Sequence, residues 1–495
     1  MGIIIRQSIW ISIFSYVGIL LGYVNVVLLF PQFLAVEQIG SVRFIQGASA
    51  LFVQFAQVGI APSLLRYYPI FAQRFPNITG LVPSLLLASV VAFGGFLLVF
   101  LAVEDHIWAY FSDNAPQTRD YAGLILMLVF VMSLQAVMEA YSRSILEAVV
   151  VNVLRDVGLR VMTTLIIMGY ALAWYDFTVF LWLTVSLYGI NLGLLTAYLG
   201  LKGKLQFSTD FSFWRRVNVR EVVYFSLSSF LGGSGSNIFR RVDSFMVTSM
   251  LGLFANGVYT TMFNIALVIE VPMSAIAQIS QPIIAHSFAT NDMKNIAMIY
   301  KKSSINQQLA GSLIFIGIWA NLDNLFAIMP NGEAFRQGYW VAVLVGLSKL
   351  VDMTTGSNNE IINMSQFYRF NMYMMLSLAG FSIATNWLLI PYFGMEGAAL
   401  ATLLTIVVFN GVKLAFIYAK YRILPFSQKN AWLLIITAGV LYLALRIDPI
   451  GSAWLDIPVR SLGITVLFGG LVVALRISED ANQLLRIMLR RAKLY

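Results

Sequence analysis

Apolar segments of membrane-spanning length alternate with short polar connectors along almost the whole chain. A helix of about 20 apolar residues crosses the ~30 Å hydrocarbon core of a bilayer, because each residue adds about 1.5 Å. The pattern therefore predicts an all-α polytopic membrane protein with about fourteen transmembrane helices. The predicted spans are 8–30, 43–65, 81–103, 121–142, 149–173, 177–200, 221–250, 255–284, 304–328, 338–356, 370–390, 397–419, 431–446 and 460–476.

The composition agrees with this interpretation. Hydrophobic residues make up 59% of the 495 residues and charged residues 11%, whereas soluble domains contain about 25% charged residues. The spans leave no room for the large extramembrane segment that a membrane glycosyltransferase or polymerase would need, so we do not expect an enzyme. The chain has no cysteine and two histidines, so we expect no metal site and no cofactor.

Lysine and arginine concentrate in alternate connectors, which indicates the orientation of the chain. With the N-terminus inside, the 201–220 connector and the C-terminal tail are the most basic inner segments. The outer connectors then contain few basic residues, namely Arg43, Arg119, Arg336, Arg446 and Arg460. The positive-inside rule predicts a multi-pass membrane protein with both termini cytoplasmic. We expect this protein in the cell inner (cytoplasmic) membrane.

Two features divide the chain into halves. The charged stretch Phe207–Glu221 separates two groups of six spans, and its Trp214 suits an amphipathic segment on the inner leaflet. Segments Gly40–Ala72 and Gly257–Ala289 share an initial glycine, an Ala-Gln pair, a late proline and a final Phe-Ala. We predict two six-helix lobes in parallel repeat plus two C-terminal helices. The boundaries are an N-lobe at 1–205, an inner amphipathic linker at 206–220, a C-lobe at 221–425, and 426–495 for the last two spans and a basic amphipathic tail.

Four short motifs occur in order within these spans. They are Gly59-Ile-Ala-Pro-Ser-Leu-Leu-Arg66-Tyr-Tyr-Pro69, Gly257-Val-Tyr259, Gln281-Pro282-Ile-Ile-Ala285 and Pro391-Tyr-Phe-Gly394-Met-Glu-Gly397-Ala-Ala399. In this order the chain resembles the polysaccharide (O-antigen, lipid-linked oligosaccharide) flippase family of the multidrug/oligosaccharidyl-lipid/polysaccharide (MOP) exporter superfamily.

The resemblance implies two lobes around a central cavity and a function in surface polysaccharide assembly. The protein would flip undecaprenyl-diphosphate-linked oligosaccharide from the inner to the outer leaflet by alternating access. Its partners would be that lipid-linked substrate, membrane lipids and polysaccharide assembly proteins, with no nucleic acid. A multidrug or cation antiporter of the same fold is the alternative, beside a membrane glycosyltransferase or polymerase.

Charged side chains inside spans cost about 2.5–3.5 kcal/mol each and usually mark a site. Lys349 lies near the middle of the tenth span, with Asp352 one turn further on the same helix face. We expect Lys349 to contact the substrate diphosphate and Asp352 to hold the lysine when substrate is absent. Alternatively, the two residues form a self-neutralising pair that locks the tenth helix to a neighbour.

A second cationic candidate follows the glycines of Gly232-Gly-Ser-Gly235 in the seventh span. These glycines are expected to weaken or break the helix at a cavity. Arg240 and Arg241 come next, and arginine suits bidentate contact with phosphate. The alternative is that both arginines reach the outer headgroups, with Arg240 paired to Asp243.

Glu270 is the candidate coupling residue, because it lies near mid-membrane and just before Pro272, which favours a kink. It would bind a proton or sodium, or else form an ion pair with Lys349. The amides of Asn25, Gln54 and Gln57 would bind sugar hydroxyls or join helices. Arg160 and Lys413 lie nearer the inner ends of their spans and are expected to extend toward the headgroups.

Overall fold

The structure is a computed structural model that describes residues 14–15, 17–75, 80–205, 214–215, 217–480 and 482–483. Most of the predicted linker at 206–220 and the amphipathic tail beyond 483 lie outside the described residues. The chain divides into two compact units, Met1–Gly257 and Val258–Tyr495.

The first unit is built from helices of widely different length. They are α1 (Val17–Phe33), α2 (Val36–Gln57), α3 (Ile60–Arg74), α4 (Leu81–Ala109), α5 (Ala122–Ser144), α6 (Ala148–Asn152), α7 (Leu159–Ala171), α8 (Phe177–Leu201) and the first part of α9 (Val219–Leu267). A π-helical segment, Val24–Leu29, lies inside α1, and another, Val153–Gly158, joins α6 to α7. A 3-10 turn, Pro116–Tyr121, precedes α5.

The second unit begins within α9. A 3-10 turn, Val268–Glu270, follows α9 and ends two residues before Pro272. The helices that follow are α10 (Val271–Ala289), α11 (Met293–Ala320), α12 (Leu322–Ile328), α13 (Gly332–Arg336), α14 (Tyr339–Thr354), α15 (Asn358–Met364), α16 (Tyr368–Tyr421), α17 (Gln428–Arg446) and α18 (Ala453–Ala474).

The described residues contain seven helical stretches long and apolar enough to cross a membrane, or up to nine if each bent helix pair forms one span. One of them, α9 with α10, runs for 71 residues and is broken at Gly252, and α16 runs for 54 residues and is broken at Gly394. Because one span needs only about 20 residues, each of these two stretches accommodates two predicted spans. The prediction of an all-helical polytopic membrane protein is confirmed.

The predicted break at Gly232–Gly235 is wrong. Helix α9 is regular there, and its non-helical residue is Gly252, with φ of 92°. In a bilayer the backbone loses more from a broken hydrogen-bond ladder than glycine costs in helix propensity, about 1 kcal/mol. The neighbouring hydroxyl of Ser234 is also satisfied within the helix, since it donates to the carbonyl oxygen of Phe230 at 2.6 Å.

Helix α2 begins earlier than the sequence pattern predicts. It starts at Val36 rather than at residue 43, so Arg43 lies about two turns inside the helix and not in a connector. At the other end, α2 and α3 meet at a bend of 51° through Val58 and Gly59, which both have positive φ. A Cβ at Gly59 would lie 2.1 Å from the carbonyl oxygen of Ser226, so the bend requires glycine.

Candidate functional site

Three arginines from three helices converge within the first unit. Arg43 of α2 interacts electrostatically with Arg160 of α7 and with Arg241 of α9. The phenol of Tyr188, from α8, lies within electrostatic range of all three guanidinium groups. We call these four residues the arginine cluster. Like charges repel, so the fold places them together against an electrostatic cost that an anion would offset.

The arginine cluster retains unused hydrogen-bond donors. Among the described residues, none of its three arginines forms an ion pair with a carboxylate. Arg43 donates weakly to Gln46 Oε1 at 3.4 Å and lies 5.1 Å from the Phe30 ring centroid. Its Nε and Nη2 are buried and have no hydrogen-bond partner in the described part of the chain. Arg160 and Arg241 are exposed. The cluster can therefore supply several charge-assisted hydrogen bonds to one anion.

The first helix shapes one side of this cluster. A Cβ at Gly22 would lie 3.3 Å from Cζ of Arg160, so the glycine leaves room for the guanidinium. Asn25, buried in the π-helical segment of α1, donates from Nδ2 to the carbonyl oxygen of Arg160 at 2.9 Å. Its Oδ1 accepts from Thr164 at 2.8 Å. Both ends of this amide join α1 to α7, which matches the helix-joining alternative for Asn25.

The other polar candidates of the first unit lie on α2 and α9. Gln57 donates to the carbonyl oxygen of Ser133 at 3.3 Å and so contacts α5. Gln54 is half-buried and lies eleven residues after Arg43, about three helical turns, on the same face of α2. Arg240 is exposed beside Arg241, and Asp243 is buried in the same helix.

In the second unit Lys349 has a partner different from the one predicted within its helix. Its Nζ lies 2.7 Å from Oε2 of Glu270, and these side chains are 13% and 32% exposed. Asp352 instead accepts a hydrogen bond from Asn410 Nδ2 at 2.8 Å. The predicted pairing of Lys349 with Asp352 is therefore wrong, and the alternative of a Glu270–Lys349 ion pair describes the structure. Helical spacing allowed Asp352, but the turn before α10 brings Glu270 closer.

Lys413 also departs from its prediction. It does not extend to the membrane surface, because it is only 1% exposed. Its ammonium donates to Oδ1 of Asn359 and lies 3.8 Å from the ring centroid of Phe409. These contacts keep the charge inside the second unit.

The sequence pattern missed Arg43, Arg160 and Tyr188 as members of one site. Arg43 was assigned to a connector because the predicted start of its span was too late. Arg160 was assigned to the helix end, and Tyr188 resembles the many other tyrosines of the spans. A polar residue within two turns of a predicted span boundary is the signal that could have identified Arg43. The described residues contain no group of three His, Asp or Glu side chains that could hold a metal ion.

A family model described as polysaccharide biosynthesis protein matches residues 4–288, which is more than half of the chain. The chain belongs to this polysaccharide biosynthesis protein family. The resemblance inferred from the four motifs is thereby confirmed. A sequence comparison with curated proteins gives no significant match.

Solved structures with this fold include three transporters. The lipid II flippase MurJ in an inward closed conformation superimposes with a TM-score of 0.74 at 12% identity, over 95% of this chain and 100% of that one. An inward-facing multidrug resistance MATE family transporter of the MOP superfamily gives 0.64 at 13% identity, over 82% and 94%. A MOP superfamily transporter from Pyrococcus furiosus gives 0.58 at 13% identity, over 85% and 95%. At such identities the likeness establishes the fold of this family member, a multi-pass membrane protein.

Proposed function

We propose that this family member is a transporter that flips a diphosphate-linked lipid oligosaccharide from the inner to the outer leaflet of the cell inner membrane. The arginine cluster is the observation that supports the proposal. Each isolated charge within a span costs about 2.5–3.5 kcal/mol. Three cations that have no acidic partner among the described residues therefore call for a multiply charged anion. A diphosphate headgroup has that charge, and guanidinium groups bind phosphate oxygens in pairs.

The other predicted residues take secondary roles in this proposal. Arg240 lies beside Arg241 and adds positive charge near the diphosphate. Gln54 lies on the Arg43 face of α2, about 16 Å along the helix, where its amide would contact the sugars beyond the diphosphate. Lys349 would bind phosphate only after releasing Glu270. Transport would proceed by alternating access of the predicted lobes, with both termini cytoplasmic.

The same cluster disfavours the alternative functions. Three arginines repel a cationic drug, so an exporter of cations would place acidic groups at this position. A glycosyltransferase or polymerase would need catalytic groups on a large extramembrane segment, which the connectors are too short to form. An undecaprenyl diphosphate substrate also accounts for membership of a polysaccharide biosynthesis family.

Binding of lipid phosphates to the purified protein tests the proposal. Undecaprenyl diphosphate should bind more tightly than undecaprenyl monophosphate, and uncharged undecaprenol should bind weakly, as measured by native mass spectrometry. Arg43→Ala, Arg160→Ala and Arg241→Ala should each weaken diphosphate binding about 10- to 100-fold, because a hydrogen bond to a charged group contributes about 1.5–3 kcal/mol.

The matched control is Arg119→Ala. Arg119 is exposed and pairs with Asp105 at 2.9 Å, outside the arginine cluster. This variant should bind all three lipids as the wild type does. Equal affinity of the wild type for the diphosphate and for uncharged undecaprenol would overturn the proposed function, as would wild-type diphosphate binding by the three cluster variants.

A further inference from the structure

The ion pair of Glu270 with Lys349 lies near the middle of the predicted tenth span, in the second unit. Lys349 comes ten residues after Tyr339, the first residue of α14, which corresponds to about 15 Å of helix and about half of the hydrocarbon core. Glu270 ends the 3-10 turn that precedes α10. Its Oε2 lies 2.7 Å from Nζ of Lys349. Two opposite charges that are distant in the chain therefore meet inside the predicted span.

The pair is accessible on one side. The side chain of Glu270 is 32% exposed and that of Lys349 is 13% exposed. Charged groups within a span avoid lipid and face either the protein interior or water. The exposed side of the pair is therefore expected to face water, from which an anion can reach the ammonium.

Each member of the pair depends on the other for its counter-charge. Among the described residues, Glu270 is the only acid within ion-pair distance of Lys349, and Lys349 is the only base within that distance of Glu270. Asp352, the acid at helical spacing, accepts a hydrogen bond from Asn410 instead. The ring centroid of Phe263 lies 5.7 Å from Lys349 Nζ and adds a weaker attraction. A lysine released by Glu270 would thus need another anion to balance its charge.

The backbone beside the pair is fixed, whereas the carboxylate is not. Ile269, the neighbour of Glu270, is 0% exposed and belongs to one apolar cluster with Phe315 and Leu350. A Cβ at Gly346 of α14 would lie 3.0 Å from Ile269 Cδ1, so the glycine lets the 3-10 turn approach α14 closely. Because the turn is anchored in this way, Glu270 can leave Lys349 by rotation of its own side chain, without a movement of either helix.

We propose that Lys349 is a second anion subsite of this protein and that Glu270 guards it. The carboxylate of Glu270 occupies the ammonium until a phosphate group replaces it. A diphosphate carries more negative charge and more acceptor oxygens than one carboxylate, so it competes effectively for an ammonium with three donors. The ligand is a phosphate or diphosphate group. That this group belongs to a transported lipid rests on the proposed function.

The guard lowers the apparent affinity of the subsite by a fixed factor. An anion binds only the fraction of molecules in which Lys349 has released Glu270, so its apparent affinity is reduced by that fraction. The factor depends on the strength of the Glu270–Lys349 pair and is the same for every anion that binds there. For a partly exposed ion pair the factor is about 3- to 10-fold.

Binding of undecaprenyl diphosphate, undecaprenyl monophosphate and undecaprenol to the purified protein, measured by native mass spectrometry, tests the guard. Glu270→Gln should tighten the binding of both phosphates by the same factor, about 3- to 10-fold, and leave undecaprenol binding unchanged. Lys349→Ala should weaken the binding of both phosphates. The double variant should bind them no more tightly than Lys349→Ala alone, because the guard acts only through the ammonium.

The matched control is Glu333→Gln. Glu333 also pairs with a cation, Arg336 at 3.7 Å, but its side chain is 90% exposed. This variant should bind all three lipids as the wild type does. If Glu270→Gln does not fold, Glu270→Asp gives the same test, since its shorter side chain should tighten phosphate binding by a smaller factor. A folded Glu270 variant without any gain would overturn the guard, and so would a gain that persists after Lys349→Ala.

Chemical labelling of Lys349 separates this inference from the proposed function. An amine-reactive acylating reagent should modify Lys349 faster in Glu270→Gln than in the wild type, as measured by peptide mass spectrometry, because the carboxylate partner is gone. Inorganic pyrophosphate should slow this modification whether or not the protein carries a lipid, whereas protection by undecaprenyl diphosphate alone would restrict the subsite to the lipid headgroup. Absence of protection by both anions would overturn the subsite. A wild type that binds undecaprenyl diphosphate no better than undecaprenol, yet is protected by pyrophosphate, would count against the proposed function only.

Discussion

Two glycines in the first unit pack against each other so closely that a single methyl group should disrupt the contact. A Cβ on Gly40 would lie 1.9 Å from the carbonyl oxygen of Leu253, and a Cβ on Gly257 would lie 2.2 Å from that of Val36. Asn256 Nδ2 also donates to the carbonyl oxygen of Gly40 at 3.1 Å. These glycines begin the two segments of the predicted repeat, and the contact joins α2 to α9.

Gly40→Ala must push these helices apart by about 1 Å or more, because non-bonded heavy atoms prefer separations of about 3.5 Å. Overpacking costs about 1–3 kcal/mol, and loss of the Asn256 hydrogen bond adds about 1 kcal/mol. The total of about 2–4 kcal/mol corresponds to a fall in melting temperature of about 5–10 °C for a unit of this size. Arg43 lies one turn after Gly40, so diphosphate binding should weaken as well.

The assay is thermal unfolding in detergent, followed by tryptophan fluorescence. Gly193→Ala is the matched control, since no atom outside its own helical backbone lies within 4 Å of a Cβ there in the described structure. It should be neutral or slightly stabilising because alanine favours the helix. Gly257→Ala should lower the melting temperature about as much as Gly40→Ala. The double variant should lose less stability than the sum of the two single losses, because one separation of the helices relieves both clashes. Equal melting temperatures of Gly40→Ala and Gly193→Ala would refute this reasoning.

Three further outcomes are expected. Either Glu270→Lys or Lys349→Glu alone should remove about 1–2 kcal/mol of stability, and the two changes combined should recover most of it because the 2.7 Å ion pair is restored in reverse. A melting temperature that does not recover in the double variant would contradict a direct pair. The ammonium of Lys204 donates a hydrogen bond to Glu147 and lowers the pKa of this carboxyl, so the stability of the protein should fall as the pH drops from about 4.5 through the lowered pKa. Glu147→Gln should abolish that fall in acid melting curves, and a melting profile unchanged by the substitution would exclude this contribution. A single cysteine at position 113 should react with an impermeant reagent from outside and one at position 210 should not, since the positive-inside pattern places them on opposite sides; reversed labelling would invert the topology.

The amino-acid sequence was sufficient for the features that depend on local composition. Apolar length and the connectors identified a polytopic helical membrane protein, and the four ordered motifs identified its family. Hydropathy is a property of consecutive residues, so it predicts where a span lies with an error of a turn or two. That error was enough to place Arg43 in a connector instead of in α2.

The partners of the charged residues were decided by the tertiary structure alone. Arg43, Arg160 and Arg241 lie on three helices far apart in the chain, and their convergence depends on how each helix is rotated about its axis. Lys349 had an acid at helical spacing within its own span, yet it pairs with Glu270, 79 residues away, because the 3-10 turn before Pro272 presents that carboxylate to α14. Helix rotation and packing depend on contacts with all neighbours at once, and no local pattern records them.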